Sequence, residues 1–142
     1  MSESENIATL RRFVEEVINH GRLDAADELV ESDFIELDPL PGQRQGREGL
    51  KEVIGMMRAG FPDIHWVINE TVAAGDKVVT RFTWTGTHRG VFLGIPATNK
   101  EVTVHGVVID RLNAGRMADS RILMDTFSLM QQLDVIPAPG NG

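Results

Sequence analysis

Residues 86–100, Gly-Thr-His-Arg-Gly-Val-Phe-Leu-Gly-Ile-Pro-Ala-Thr-Asn-Lys, form a fifteen-residue loop between two strand-like runs, 78–85 and 101–112. Hairpin loops usually close within a few residues, and long structured loops in compact domains are usually functional. The loop carries large apolar side chains, among them Val91 and Phe92, so we expect it to fold over another part of the protein. Two interpretations stay open: it closes the core beneath a wide hairpin end, or it forms the rim of a pocket.

Strand-like patterns dominate the second half of the chain, on both sides of this loop. Ala74-Gly75-Asp76 and Asn113-Ala114-Gly115 are turn signals that each separate two β-rich runs, which predicts two antiparallel hairpins. A shorter strand comes earlier and is ended by Pro39 and Pro41. The predicted strands are 34–38, 65–73, 77–85, 101–112 and 116–124.

Helical patterns dominate the first part of the chain. Apolar residues at every third or fourth position within 7–18 predict an amphipathic helix. Ser2 followed by Glu5 fits a capping box, and Gly21 fits a helix stop. Further helices are predicted at 23–30, from Gly46 onward, and at 126–133.

The order of these elements predicts the fold class. Because the helices come early and the antiparallel strands late, we expect one α+β domain spanning 1–142, with helices covering one face of the sheet. A strongly bent sheet closed on one side by helices encloses a cone with an apolar interior. Such a cavity is where a small, largely apolar molecule would bind.

Composition excludes several classes of function. The chain has no cysteine, which rules out a thiol nucleophile, a disulfide framework and a thiolate metal site. A net charge of -7 with a pI near 5.0 argues against nucleic acid or an anionic membrane as partner. No apolar run is long enough to span a bilayer, and the acidic N-terminus lacks the pattern of a signal peptide. We therefore expect a cytoplasmic protein.

Several strings match a known family. They are Asp38-Pro39-Leu40-Pro41-Gly42-Gln43, Gly46-Arg47-Glu48-Gly49-Leu50, Phe61-Pro62-Asp63, Gly86-Thr87-His88 with Gly94-Ile95-Pro96, and then Gly106, Gly115-Arg116, Asp125 and Gln131-Gln132-Leu133. With them the chain resembles the SnoaL-like (polyketide cyclase or "ester cyclase") branch of the nuclear transport factor 2-like superfamily. The resemblance implies a cone-shaped barrel of a strongly bent mixed, mostly antiparallel sheet, about three N-terminal helices on its concave face, and a short C-terminal helix.

The resemblance also implies a function, but the chain departs from the family's pattern at two positions. Polyketide cyclases that the chain resembles use an aspartate on the last strand and a histidine on the strand before it, and a gap-free alignment puts these positions at Ile122 and Val108. Both are apolar, so cyclase chemistry of that form is in doubt. We expect a small-molecule enzyme using carboxylate acid/base chemistry on a carbonyl, lactone, ring or epoxide substrate. The alternative is a non-catalytic ligand-binding protein or a dimeric interaction module.

Asp38 and Asp125 are the carboxylates that the family pattern selects as catalytic candidates. A carboxylate buried among apolar groups has a raised pKa and can act as general acid or base. Asp38 could instead open a turn, and Asp125 could cap the C-terminal helix. Phe34, Glu36 and Asp38 share one face of the strand. If Phe34 faces the cavity, Asp38 joins it near the mouth, under the 86–100 loop; if Ile35 and Leu37 fill the core, Glu36 and Asp38 point away.

Three further residues are candidates. Epoxide hydrolases that resemble this fold hold an arginine between aspartates, and Arg81 with Asp119 could mimic part of that arrangement. These two residues could equally form ion pairs on an exposed sheet face. His65, which opens a strand, is the remaining catalytic candidate. Because the chain has no tyrosine, the phenol donor of steroid isomerases in the superfamily is missing.

Apolar residues on the helices and strands are candidates for the cavity wall. We expect neither a metal nor a cofactor, since no pair of histidines has metal-ligand spacing and no glycine-rich phosphate loop is present. Val79, Val107 and Ile109 place apolar side chains on the outer sheet face, and superfamily members commonly pair there, so we expect a homodimer. The predicted wall residues are Val14, Val17, Phe34, Ile54, Met57, Phe61, Val104, Val108, Ile122 and Met124, with Phe92 as a lid.

Overall fold

A computed structural model describes residues 2–137, and over this range the chain forms four α-helices and five β-strands. The first helix is capped by Ser2, whose hydroxyl accepts a hydrogen bond of 3.1 Å from the Glu5 backbone N–H. It continues as a wider π-helix and ends at Gly21, which has a φ of +70°. The predicted cap and stop are therefore confirmed. The helices are α1 (Glu3–Arg12, continued by the π-helical turn Phe13–Asn19), α2 (Ala26–Leu29), α3 (Gly46–Gly60) and α4 (Thr126–Gln132).

The strands form one open sheet in the order β1-β5-β4-β3-β2. β1 lies parallel to β5, and every other neighbouring pair is antiparallel. This confirms the mixed, mostly antiparallel sheet. α1 packs against β2 and β3, whereas α3 packs against β1, so helices cover the concave face. The strands are β1 (Val30–Glu36), β2 (His65–Ala74), β3 (Lys77–Thr87), β4 (Glu101–Asn113) and β5 (Arg116–Met124).

The first strand begins earlier than its sequence pattern predicts. Val30 was expected to end a helix, but its backbone is extended, with φ -127° and ψ 136°, and it pairs with Met117 of β5. A β-branched residue is favoured in such an extended, half-buried position. The predicted strand 34–38 therefore corresponds to β1, displaced toward the N-terminus.

Two clusters of buried apolar side chains fill the space against the concave face. The helix cluster lies beneath α1 and α2 and includes Phe13, Val17, Val30 and Phe34. The loop cluster lies beneath residues 88–100 and is built on aromatic rings, with Phe61 in edge-to-face contact with Trp84 at a centroid distance of 5.0 Å.

The long loop closes the loop cluster. Phe92 is buried against Phe61 with ring centroids 5.3 Å apart, and His88 stacks on the same ring at 5.3 Å. The backbone N–H groups of Arg89 and Gly90 both donate to the Gly60 carbonyl, at 3.0 and 3.1 Å. A Cβ on Gly90 would overlap the Ala59 carbonyl oxygen, so only glycine allows this close approach. The structure supports the first interpretation of the long loop, in which it closes the core beneath a wide hairpin end.

The outer face of the sheet exposes apolar side chains, including Val107 and Ile109. The homodimer stays a prediction that rests on this face. Over residues 2–137, no helix is long and apolar enough to cross a membrane.

Candidate functional site

A cavity of about 270 Å³ lies between the helices and the concave sheet face. Most of its wall is apolar and comes from α1, the π-helical turn and α3 on one side and from β1, β4 and β5 on the other. This shape suits a small, largely apolar molecule held by a few polar groups. The apolar wall residues are Leu10, Phe13, Val14, Ile18, Phe34, Leu40, Leu50, Val53, Ile54, Met57, Ile64, Trp66, Val108, Met117, Ile122, Leu123 and Met124.

Three polar residues of the cavity wall lie in one row across neighbouring strands. Glu36 of β1 pairs with Ser120 of β5, and Ser120 pairs with Asp110 of β4. Directly opposite residues on adjacent strands have their side chains on the same face of the sheet. All three are buried and line the cavity. The row therefore presents two carboxyl groups, with a hydroxyl between them, to an apolar space.

Asp110 has the most perturbed carboxyl group of the row. Only 1% of the residue is exposed, and burial raises its pKa to about 7, with the negative charges of Glu36 and Asp119 adding to the shift. Hydrogen bonding to the Ser120 side chain acts in the opposite direction. Its Oδ1 has no hydrogen-bond partner among residues 2–137. A carboxyl group with a pKa near neutrality can either give or take a proton.

Glu36 is also buried, with 6% of the residue exposed. Burial raises its pKa and the charge of Asp38 adds to this, while backbone N–H donors, chiefly that of Asp38, partly offset the shift. The Asp38 backbone N–H donates to Glu36 Oε2 at 2.8 Å. This bond fixes the glutamate side chain against the start of the next turn.

Asp38 lies just past the end of β1 and lines the same cavity. Its Oδ1 lies 3.4 Å from Arg121 Nη1, whereas its Oδ2 is buried and has no partner within the described part of the chain. Phe34 and Glu36 line the cavity with it, and Ile35 is exposed on the outer face. The chain thus takes the arrangement in which Phe34 faces the cavity. The 86–100 loop does not cover Asp38, because that loop lies on the loop cluster.

Thr80 of β3 adds one more polar group to the wall. It is 1% exposed, and its Oγ1 lacks a partner among residues 2–137. Thr80 pairs with Val108, which pairs with Ile122, so a second row runs beside the first. Val108 and Ile122, the two apolar members of that row, also line the cavity.

The four other catalytic candidates do not line the cavity. Asp125 caps α4, where its Oδ1 accepts from the Ser128 N–H at 3.0 Å. Arg81 is exposed and pairs with Glu70, at 2.7 Å. These two residues thus have the structural roles considered as alternatives.

Asp119 and His65 complete that set. Asp119 is next to the cavity-lining Ser120 on β5, so its side chain is on the opposite face of the strand. It pairs with Arg111, whose Nε lies 2.6 Å from Asp119 Oδ2. His65 is exposed at the start of β2. Neither residue lines the cavity.

The predicted wall residues divide between the cavity and the packed core. Phe61, Phe92 and Val104 lie in the loop cluster, because the aromatic side chains of that cluster pack together and fill the space. Val17 is likewise fully buried in the helix cluster. Phe92 is therefore part of a packed core and not a lid. The predicted residues that line the cavity are Val14, Phe34, Ile54, Met57, Val108, Ile122 and Met124.

Sequence reasoning missed Asp110, Ser120 and Thr80, and it named Glu36 only as a neighbour of Asp38. One signal was available for Asp110. It has the same strand parity as Val104 and Val108, so it is a charged residue on the buried face of its strand. A buried carboxyl group without a paired cation is uncommon and marks a candidate functional site.

The described residues 2–137 contain no group of three or more His, Asp or Glu side chains placed to hold a metal ion. Within the described part of the chain, Arg58 is the only cationic side chain in the cavity wall, and its Nη1 donates to the backbone carbonyls of Ile18 and Asn19 at 2.6 and 3.0 Å. Negative charge therefore predominates in this site.

Comparison with known proteins assigns the family. Residues 8–133 match the family described as SnoaL-like polyketide cyclase, and the chain belongs to that family. A search among curated proteins finds no match. The fold and family expected from the sequence are thereby confirmed.

Solved structures with the same fold cover almost the whole chain. TsrD from Streptomyces laurentii is 25% identical with a TM-score of 0.88, covering 96% of this chain and 99% of its own. A protein from Jannaschia sp. CCS1, provisionally described as a SnoaL-like polyketide cyclase, is 25% identical with a TM-score of 0.85, covering 95% of each chain. Another from Acidithiobacillus ferrooxidans, provisionally described as a polyketide cyclase, is 29% identical with a TM-score of 0.82, covering 95% of this chain and 99% of its own.

Proposed function

We propose that this protein is a small-molecule enzyme that uses carboxyl groups as general acid and base on a small, largely apolar substrate. The substrate would carry a carbonyl, lactone, ring or epoxide group that reacts on proton transfer. The observation that supports this is the pair of buried carboxyl groups, Glu36 and Asp110, facing an apolar cavity together with Asp38. Perturbed carboxyl groups that converge on such a cavity are typical of acid/base catalysis.

The position of these groups relative to the cyclase residues supports the proposal. The aspartate and histidine positions implied by the family correspond to Ile122 and Val108, which lie directly opposite each other. One row further along the same strands, Ser120 and Asp110 lie opposite each other. The polar pair is thus displaced by two residues along each strand. Acid/base chemistry would be relocated within the cavity and not lost.

The environments of Asp38 and Asp110 favour different roles. Asp38 has Arg121 beside one carboxylate oxygen, and its second oxygen has no partner among residues 2–137, which suits a proton acceptor. Asp110 forms no salt bridge within the described part of the chain and has a pKa of about 7, so a large fraction carries a proton at neutral pH. Two carboxyl groups in such different surroundings can serve as base and acid in one reaction.

A ligand screen followed by kinetics tests the proposal. Thermal-shift screening of small lactones, epoxides and β-keto compounds identifies ligands, and turnover of each is then measured. With a true substrate at saturating concentration, Asp38→Asn and Asp110→Asn should lower kcat by about a hundredfold or more, as for removal of an acid/base group. Asp33→Asn is the matched control, because Asp33 lies on β1 but is exposed. Full activity in both cavity variants would remove these carboxyl groups from the mechanism.

The competing function is non-catalytic binding of a small ligand in the same cavity. The specific observation in its favour is that Val108 and Ile122 are apolar where the related cyclases carry their reactive side chains. Ligands that stabilise the protein and are never converted by the wild type would favour this alternative.

A further inference from the structure

The unpartnered polar atoms that face the cavity are mostly hydrogen-bond acceptors. The buried atoms without a partner among residues 2–137 that face it are Asp38 Oδ2, Asp110 Oδ1 and Thr80 Oγ1. An ionised carboxylate only accepts hydrogen bonds, and a hydroxyl can both donate and accept. Because the pKa of Asp110 is about 7, a cation bound beside it would favour its ionised form. To a cationic ligand the cavity therefore offers mainly acceptors, and a buried acceptor without a donor is costly.

The charged side chains of the cavity wall are mostly negative. Arg121 pairs with Asp38 from outside the cavity wall, at 3.4 Å. Glu36, Asp38 and Asp110 all line the cavity, and among residues 2–137 the one guanidinium of the wall is that of Arg58. That guanidinium already donates to two backbone carbonyls, so it is not directed at a ligand. Mutual repulsion is visible in the carboxyl groups: the charge of Glu36 adds to the raised pKa of Asp110, and the charge of Asp38 to that of Glu36. A cation placed among them would relieve this repulsion.

We propose that the cavity takes an apolar molecule that carries a protonated amine, with the ammonium group directed at Asp110 and its neighbour Thr80. The inference rests on the cavity being the ligand site, and it narrows the substrate class of the proposed function. Asp110 pairs with Val78, and Thr80 lies two residues further along β3, so the two unpartnered side chains are diagonal neighbours on one face within reach of a single ammonium group. Charge-assisted hydrogen bonds in a site of low polarity are among the stronger polar contacts. The apolar part of the molecule would lie against the aliphatic wall formed by Val14, Ile54 and their neighbours.

Three ring compounds of similar shape provide the test: cyclohexylmethylamine, cyclohexylmethanol and cyclohexanecarboxylate. Affinities are measured by titration calorimetry, and shifts of the Ile54 and Val108 methyl signals in NMR report whether each compound enters the cavity. We expect the amine to bind about tenfold or more tighter than the alcohol, as one charge-assisted bond allows. The carboxylate should bind more weakly than the alcohol, because the wall repels it.

Matched variants separate cavity binding from general attraction to an acidic protein. Asp110→Asn should reduce the preference for the amine over the alcohol, leaving alcohol binding almost unchanged. Asp33→Asn removes the same formal charge from an exposed position and should leave the preference as in the wild type. The inference is overturned if the carboxylate binds as well as the amine, if no compound shifts the cavity methyl signals, or if Asp110→Asn keeps the full preference. These readouts are binding alone, so they fail or succeed independently of turnover.

Discussion

The two ends of the concave sheet face differ in how they are filled. Under the long loop, the rings of Phe61, Trp84 and Phe92 are buried and pack edge to face, and none of them lines the cavity. At the other end, the sheet presents aliphatic side chains and carboxyl groups, and a cavity of about 270 Å³ remains.

This difference shows how one sheet can provide both stability and a site. Aromatic side chains bury large areas and interlock, which stabilises the loop end strongly. Carboxyl groups such as Glu36 and Asp110 cannot pack this way and lose hydration when buried, which destabilises the cavity end. Functional sites commonly carry such a cost in stability.

The largest expected effect comes from truncating the aromatic end. Phe61→Ala removes a fully buried ring that contacts Trp84, His88 and Phe92, and should lower the free energy of unfolding by about 3–5 kcal/mol. Ile122→Ala, at the cavity wall, should cost less than about 2 kcal/mol, because that side chain already borders empty space. Urea denaturation measures both. Equal costs for the two substitutions would mean that the ends are packed alike.

The next effect is the pH dependence caused by Asp110. Its pKa rises from 3.8 in the unfolded chain to about 7 in the fold, so the folded state binds more protons between these values and stability falls as pH rises from about 4 to about 7. A shift of this size corresponds to up to about 4 kcal/mol. Asp110→Asn should remove this part of the decline, leaving a smaller slope from Glu36, whose pKa is also raised.

Urea unfolding at pH 4, 5.5 and 7.5 measures the difference between the two proteins. The asparagine variant should gain stability relative to the wild type as pH rises. If stability depended on pH in the same way in both proteins, Asp110 would ionise as freely in the folded as in the unfolded state. That result would contradict the cost in stability assigned to the cavity end of the sheet.

The smallest effect concerns the loop itself. In Gly90→Ala, the new Cβ would overlap the Ala59 carbonyl oxygen, and displacing the loop should cost about 1–3 kcal/mol, typical of overpacking. Ligand affinity should not change, since residues 86–100 do not line the cavity. Gly55→Ala is the control, because a Cβ there meets nothing closer than 3.9 Å. A weakened affinity in Gly90→Ala alone would give the loop a role at the site.

The outcome for the candidate residues illustrates what periodicity can and cannot predict. Strand parity correctly grouped Phe34, Glu36 and Asp38, because alternate side chains of a strand share a face. It could not decide between cavity and core for Phe61 and Val104, since both environments are apolar. That choice depends on which aromatic rings meet across strands that are distant in sequence.

The sequence by itself determined the elements, the α+β class and the family, because caps, turn residues and hydrophobic periods act over a few residues. Only the tertiary structure decided that the long loop closes a core, and that Glu36 and Asp110 meet in one cross-strand row. The row depends on the register of β1 and β4 against β5, where Ser120 pairs with both carboxyl residues. Register arises from packing of the whole sheet, and burial between helices and sheet then raises the pKa of each carboxyl group.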